Sequence, residues 1–447
     1  MANSTSSKQP GLRDLAIYST IWIVLFLISK LFWGQAIFPY IPFFIAIALG
    51  YAFLLIYFAI PRQNIPILWS AICVLLFASL ILQELGLIHF LGYGDHGQFA
   101  KMLNEQIIFP RWLGGSAIMV YITQLWAKIL VAGIYTQNID VLGAFVRIAG
   151  GIVMAGTSIY ALNHWPKRMS IILSIATPIY LMFSTGYDEY YPFIAGLFLI
   201  FLSTTIEYDP TTPNIYWIGF LLGIMPIFYF PFSVISMITL AYFWVFFPQN
   251  KIRLALIALV VYLASIVILW RGGIVDYFRS LFFTLNTGDT NTMFVRYIGQ
   301  SAGKESVFFK LQYVLSLAHW QDLIYMFFWS GNITITIILG YCIFHLLKIK
   351  AWKKLFSFPA TGLISTILAW QIIYFIFMLP KWGPQQDIDL FFSFYIVLAF
   401  AAGYILDFIH KEEAYSGKTE RIIISAIVAN AIVAVFFLII AGIPFVT

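Results

Sequence analysis

Charge is what this sequence lacks most. Only 10% of its 447 residues are Asp, Glu, Lys or Arg, while 62% are hydrophobic and the mean hydropathy is +0.90. A soluble fold of that composition could not clothe its surface, so a soluble enzyme or binding module is excluded. Cysteine is scarce too. Cys73 and Cys342 both sit inside apolar runs, which argues against a disulfide or a thiolate metal site. No basic run with interleaved aromatics stands out, so the formal charge of +6 reads as membrane orientation and not as affinity for nucleic acid. The chain shows no internal repeat, no low-complexity tract, and no Walker, nucleophile-elbow or zinc spacing.

What is present is a series of apolar runs of 16 to 25 residues, each long enough to cross a hydrocarbon core as a helix. The expected class is an all-α polytopic membrane protein. Spans are predicted at 15–33, 41–60, 67–91, 140–162, 169–184, 191–206, 214–230, 231–248, 254–270, 332–347, 359–379, 391–408 and 422–442. The N-terminus is polar, and the first span carries Lys30 with no small-residue cleavage site after it. It reads as a retained helix and not as a signal peptide. Apart from Lys30, Arg147 and Glu84, the spans read as nearly free of charge.

One more apolar stretch, 113–135, raises a parity question that charge decides. The basic short loops are "HWPKR" (Lys167, Arg168), "QNKIR" (Lys251, Arg253), "KIKAWKK" (Lys348 to Lys354) and "HKEEAYSGKTER". With the N-terminus inside, a crossing by 113–135 would put the first two outside, against the positive-inside bias. Without that crossing, all four fall on the cytoplasmic side. The stretch carries Gln124 and Lys128 mid-run, with Trp112 and Trp126 as interfacial anchors. It is expected to be an amphipathic helix on the outer leaflet. Thirteen spans follow, and the polar segments 92–139, 185–190, 271–331 and 380–390 share the outer face.

Folding does not require carboxylates to collect on one side, so their concentration suggests a site. In "GYGDHGQ", Gly94 and Gly97 bracket Asp95 and His96 just beyond a span. A carboxylate partly withdrawn from water holds its proton more tightly, which suits a general base for a hydroxyl; capping the helix that follows is the plainer role. His96 could share the base role or bind phosphate. In "TGYDEYYP", Asp188 and Glu189 could hold a divalent cation or orient sugar hydroxyls. In "PKWGPQQDIDLF", Lys381 and Asp387 are candidates, with Asp389 diverging from Asp387 on a helix. Phosphate would need an outer cation such as Arg111 or Arg296, arginine being favoured for its fork. His319, near Asp322 in "AHWQD", could face the same cavity, and the Gly–Gly pairs at 114–115, 150–151 and 272–273 read as close helix approach or turns.

The order of parts now resembles a known family. An outer-loop Asp just after a span, surface helices, and then a span beginning near "DVLGAFVRIAGG" resemble the GT-C superfamily of membrane glycosyltransferases. The likeness covers roughly 67–408. It includes "GYDEYY", like the Gly–Tyr–x–Glu–Tyr–Tyr of prokaryotic members, and "KWGPQQDIDLF", like their Lys–x–Gly–x–x–x–Asp–x–Asp–Leu–Phe. Two spans (1–66) precede this core where the family has one, and 409–447 holds only a loop and a last helix.

The resemblance implies sugar transfer from a polyprenyl-phosphate donor to a glycan, lipid or protein acceptor on the non-cytoplasmic face of the cell membrane. It implies inversion, with Asp95 as base. The donor phosphate would be held by outer Arg or Lys, and a divalent cation (Mg or Mn) at Asp188 and Glu189 is the only cofactor admitted. A flippase or secondary transporter is the alternative, and would call for polar groups and broken helices at mid-membrane. A scaffold of a cell-envelope assembly would leave the acidic loops unexplained.

Overall fold

The computed structural model describes residues 108, 110, 113–118, 120–121, 139–165, 169–184, 190–206, 214–247, 250–270, 272–286, 314–329, 332–377 and 391–412. Among these residues the protein is all-α. In chain order the helices are α1 Ile139–His164, α2 Met169–Ile175, α3 Pro178–Ser184, α4 Tyr191–Ile206, α5 Asn214–Phe228, α6 Phe232–Phe246 and α7 Lys251–Leu269. They continue with α8 Ile274–Asn286, α9 Leu317–Trp329, α10 Asn332–Lys348, α11 Trp352–Phe356, α12 Pro359–Phe377 and α13 Phe392–Glu412. Residues 113–118, 120 and 121 are also helical.

Three described helices are long and apolar enough to cross a membrane: α7, α12 and the Phe392–Ile409 portion of α13. The spans predicted at 15–33, 41–60, 67–91 and 422–442 lie outside the described residues. The outward face of α7 is apolar, with Ile268 74% and Val260 63% exposed, whereas Phe198 and Phe201 of α4 are fully buried. Apolar side chains on both faces suit a helix with protein on one side and hydrocarbon on the other. The chain is an integral membrane protein.

Helix α4 is at the centre, with nearly every residue buried. Its polar tail is satisfied internally: the hydroxyls of Ser203, Thr204 and Thr205 donate to the carbonyls of Leu199, Ile200 and Leu202. Small residues set the closest approaches. Gly219 and Gly223 bring α5 onto α7, where a Cβ at Gly223 would fall 2.5 Å from the Ala258 carbonyl oxygen. Because Gly219 meets Ile257 and Gly223 meets Val261, the two helices run parallel. Pro226 inside α5 leaves the Leu222 carbonyl without its usual helical donor, and Ser236 Oγ of α6 donates to it instead at 2.9 Å.

Two expectations need correction. The single span at 169–184 is two short helices, α2 and α3, broken at Thr177. Pro178 has no N–H to continue the ladder and crowds the preceding turn. The buried break is satisfied locally, since Ala176 N–H donates to Ile172, and both Thr177 N–H and Thr177 Oγ1 donate to Ser174. Second, the spans are not as free of charge as they read, because Asp407 lies within α13 and is only 9% exposed. Its carboxylate accepts from Met169 N–H (2.8 Å), Ser170 N–H (3.3 Å) and Ser170 Oγ (3.2 Å), capping α2 from a neighbouring helix.

Contacts sort the helix ends into two sets. One set joins Met169 and Ser170 to Asp407, Tyr242 Oη to the Pro359 carbonyl, and Thr361 to Tyr404. The other joins Tyr190 to Gly115, Ile227 to Gly114, Leu269 to Tyr121, Pro110 to Tyr277 and Ile376 to His319. Helices α1 and α4 run parallel, Gly150 meeting Pro192 and Thr157 meeting Gly196. The start of α1 therefore lies toward the same end as Gly115. Residues 113–118 and 120 are packed more deeply than a helix spread on lipid would be, for Leu113, Ser116, Ala117 and Val120 are all buried.

Candidate functional site

Of the residues singled out from sequence, Asp95, His96, Arg111, Asp188, Glu189, Arg296, Lys381 and Asp387 lie outside the described residues. What the structure describes is the framework to which their segments are attached. That framework is aromatic. Tyr190 and Tyr191 follow Glu189 directly, and Phe391 and Phe392 follow "DIDL". Tyr191 packs against Phe392 with ring centroids 5.6 Å apart, and Tyr190 against Tyr191 at 4.7 Å. Tyr229, just after α5, packs against both, 5.7 Å from Tyr191 and 6.2 Å from Phe392. Its hydroxyl is 2.9 Å from that of Tyr374, which precedes the 378–390 segment.

The segment after Asp95 reaches the same cluster from another side. Gly115 sits directly on the Tyr190 ring, where any side chain would collide with it. Gly114 packs against Ile227 in the same way. A glycine pair is thus the local solution that lets 113–121 lie against the ends of α4 and α5. Below it, Tyr277 of α8 donates from its buried phenol to the Pro110 carbonyl at 3.1 Å, and Tyr121 donates to the Leu269 carbonyl at 3.2 Å. Burial, with Tyr262 alongside, pushes the Tyr277 phenol well above its ordinary pKa, so it stays a donor. Helix α8 is amphipathic at this end, with Tyr277 and Leu281 turned inward and Val275 outward.

His319 is the one candidate that the structure describes. It is fully buried on α9, with Leu323 and Met326 on the same face. Its Nε2 is 2.7 Å from the Ile376 carbonyl oxygen. A carbonyl can only accept, so Nε2 carries the proton and donates. Burial lowers the imidazole pKa, while the Ile376 bond and nearby Asp322 act in the opposite direction. The ring therefore ties α9 to the end of α12, shortly before Lys381. Of the other outer ionisable groups described, Arg279 is exposed and Asp322 is half-buried.

Among the described residues no three His, Cys, Asp or Glu side chains come together as a cation site. The residues that sequence reasoning missed are Tyr229 and Tyr374. Tyr229 sits in "FYFPF" at the end of one predicted span and Tyr374 inside another, so each reads as ordinary apolar filling.

No family model matches the sequence, and no curated protein matches it. Among solved structures, the crystal structure of ArnT from Cupriavidus metallidurans bound to undecaprenyl phosphate is similar in fold. It shares 14% identity over 84% of this chain and 76% of that one, with a TM-score of 0.46. The structure of ArnT from the same organism in the apo state gives 12% identity, the same coverage and a TM-score of 0.44. Identity of this order leaves the chemistry to be argued from this chain's own residues.

Proposed function

We propose that the protein is a membrane glycosyltransferase. It takes a sugar from a polyprenyl-phosphate donor and transfers it, with inversion, to an acceptor hydroxyl on the non-cytoplasmic face. The observation that carries this reading is the convergence of attachment points. The segments bearing Asp95, Asp188 with Glu189, and Lys381 with Asp387 are all anchored in one packed aromatic joint, through Gly115, Tyr190 and the pair Tyr374 and Phe392. The tethers are short for Glu189, Lys381 and Asp387, at one, seven and five residues from the cluster, and Asp95 lies twenty residues before Gly115; attachment to one rigid cluster suits a site assembled from several loops.

The chemistry is a displacement at the anomeric carbon. Asp95 takes the proton of the acceptor hydroxyl as its oxygen bonds to that carbon, and His96 assists there or meets the phosphate. The bond from carbon to the phosphate oxygen breaks, and its electron pair leaves on the polyprenyl phosphate. Arg111, Arg296 and Lys381 are the cations proposed to hold that anion. Asp188 and Glu189 orient sugar hydroxyls or hold Mg or Mn, and no step depends on that ion. Asp387 completes the acidic rim, and His319 is proposed to act on the substrate side by fixing the approach to Lys381. A lipid-anchored donor presents its leaving group at the membrane surface, so the base has to wait at that depth.

One observation favours a second reading. The break between α2 and α3 is the kind of interruption found in transporters. One experiment separates the two. Purified protein is offered a panel of radiolabelled polyprenyl-phosphate sugars with candidate acceptors, beside Asp95→Asn. Transfer by wild type and a loss of at least about a hundredfold in the variant are expected. Equal transfer by both would remove Asp95 from the base role. Donor binding and translocation in vesicles without transfer would favour the transporter.

A further inference from the structure

At the end of the bundle opposite the aromatic joint, α10, α11, α12 and α13 enclose a groove of about 300 Å³. Sites for small molecules span roughly 300–1,000 Å³. Its walls are apolar, built from Leu346, Leu347, Trp352, Phe356, Leu368 and the ring of Tyr404. The Thr361 hydroxyl beside it is already engaged, donating to the Leu355 carbonyl at 2.7 Å and lying 3.2 Å from Tyr404 Oη.

The rim is basic. Lys348, Lys350, Lys353 and Lys354 fall within seven residues that contain no carboxylate, and all four side chains are exposed. Lys353 Nζ lies 5.6 Å from the centroid of the ring of Trp352, which is itself a wall residue of the groove. The backbone adds an independent observation. Lys350 has φ 54°, and Lys350 N–H donates to Leu347 while Ala351 N–H donates to Leu346. This is the helix-ending turn for which glycine is the unstrained residue. A lysine holds the position at some steric cost and adds an ammonium there.

We propose that this groove binds one anionic glycerophospholipid of the adjoining leaflet, with an acyl chain along the apolar walls and the phosphate among the four lysines. By charge bias that leaflet is the cytoplasmic one. The walls offer a bound head group nothing, but suit a hydrocarbon chain. The lysines match a phosphodiester that brings no cation of its own, and so select against a zwitterionic head group. The proposal does not depend on glycosyl transfer.

The test is native mass spectrometry of the full chain in detergent, titrated with phosphatidylglycerol or with phosphatidylcholine of the same acyl chains. Wild type is expected to prefer phosphatidylglycerol by about tenfold or more. Combined Lys348→Ala, Lys350→Gly, Lys353→Ala and Lys354→Ala should bring that preference to within about twofold of none. Ser365→Trp, which fills the groove, should weaken both lipids. If that variant fails to fold, the exposed lysine set still decides. Equal binding of the two lipids by wild type, or a preference that survives removal of the lysines, would overturn the proposal. So would a dimer that Ser365→Trp dissociates while phosphatidylglycerol binding is unchanged, since the groove would then belong to a second copy.

Discussion

Removing the Asp407 carboxylate should loosen the bundle at one defined joint. The group accepts three bonds, from Met169 N–H at 2.8 Å, Ser170 N–H at 3.3 Å and Ser170 Oγ at 3.2 Å. One turn earlier, Gly403 lies directly on the backbone of Met169 and Ser170, so no bulkier group fills in when the carboxylate is lost. Losing a helix cap costs roughly 0.5–2 kcal/mol, and leaving a buried donor unsatisfied roughly 1–3 kcal/mol. These describe the same bonds and overlap, so Asp407→Ala is expected to cost about 2–4 kcal/mol. Asp407→Asn keeps one acceptor but turns an amide toward donors, and should cost about 1–2 kcal/mol. Unfolding of the purified protein in mixed micelles, titrated with SDS, gives both values. A double-mutant cycle with Ser170→Ala should show coupling of at least about 0.5 kcal/mol. Changes under about 0.5 kcal/mol for both substitutions, or no coupling, would refute the capping role.

Two other outcomes test the opposite end. Burial holds the His319 pKa below its ordinary value, so the folded protein binds fewer protons here than the unfolded chain. Its share of stability is present above about pH 6.5 and is lost as pH falls toward the folded value; His319→Phe should flatten that part of a melting-temperature profile between pH 5 and 8. Tyr374→Phe removes the 2.9 Å bond to Tyr229 and should cost about 1 kcal/mol. If the joint positions the acidic segments, the turnover of the variant should fall more than its KM for donor rises.

Much of the bundle is legible in hydropathy because its long helices are bounded by sharp chemical edges. The predicted 191–206 and the observed α4 coincide, and the predicted 359–379 begins where α12 does, at Pro359. Apolarity alone does not mark every break or buried charge. The 169–184 run is uniformly apolar, yet Pro178 breaks it, and hydropathy does not register the missing N–H. Asp407 does not register in hydropathy, because a single carboxylate scarcely lowers the value of "FFSFYIVLAFAAGYILDFIH". The burial of 113–118 and 120 was signalled by Gly114 and Gly115, whose role as a close-approach pair was visible but whose partners were not. Tyr229 and Tyr374 could not be paired from sequence, since 145 positions separate them and nothing local marks either hydroxyl.

The two ends of the bundle use polarity in opposite ways, and this bears on where chemistry can sit. At the lysine-rich end, the buried carboxylate described is spent on structure, its oxygens taken by α2. At the other end the charged groups described, Asp276, Arg279 and Asp322, are exposed or half-buried, and phenols and one imidazole make the joints. Each bonds to backbone or to another ring substituent: Tyr277 to Pro110, Tyr121 to Leu269, Tyr229 to Tyr374 and His319 to Ile376. Neutral donors can stiffen an interfacial joint without neutralising nearby carboxylates, whereas a lysine or arginine in the same place would pair with them and lower their basicity. A general base in the loops attached to such a joint keeps its proton affinity. A joint of aromatic rings and neutral buried donors therefore suits the proton-abstracting site proposed for the attached segments.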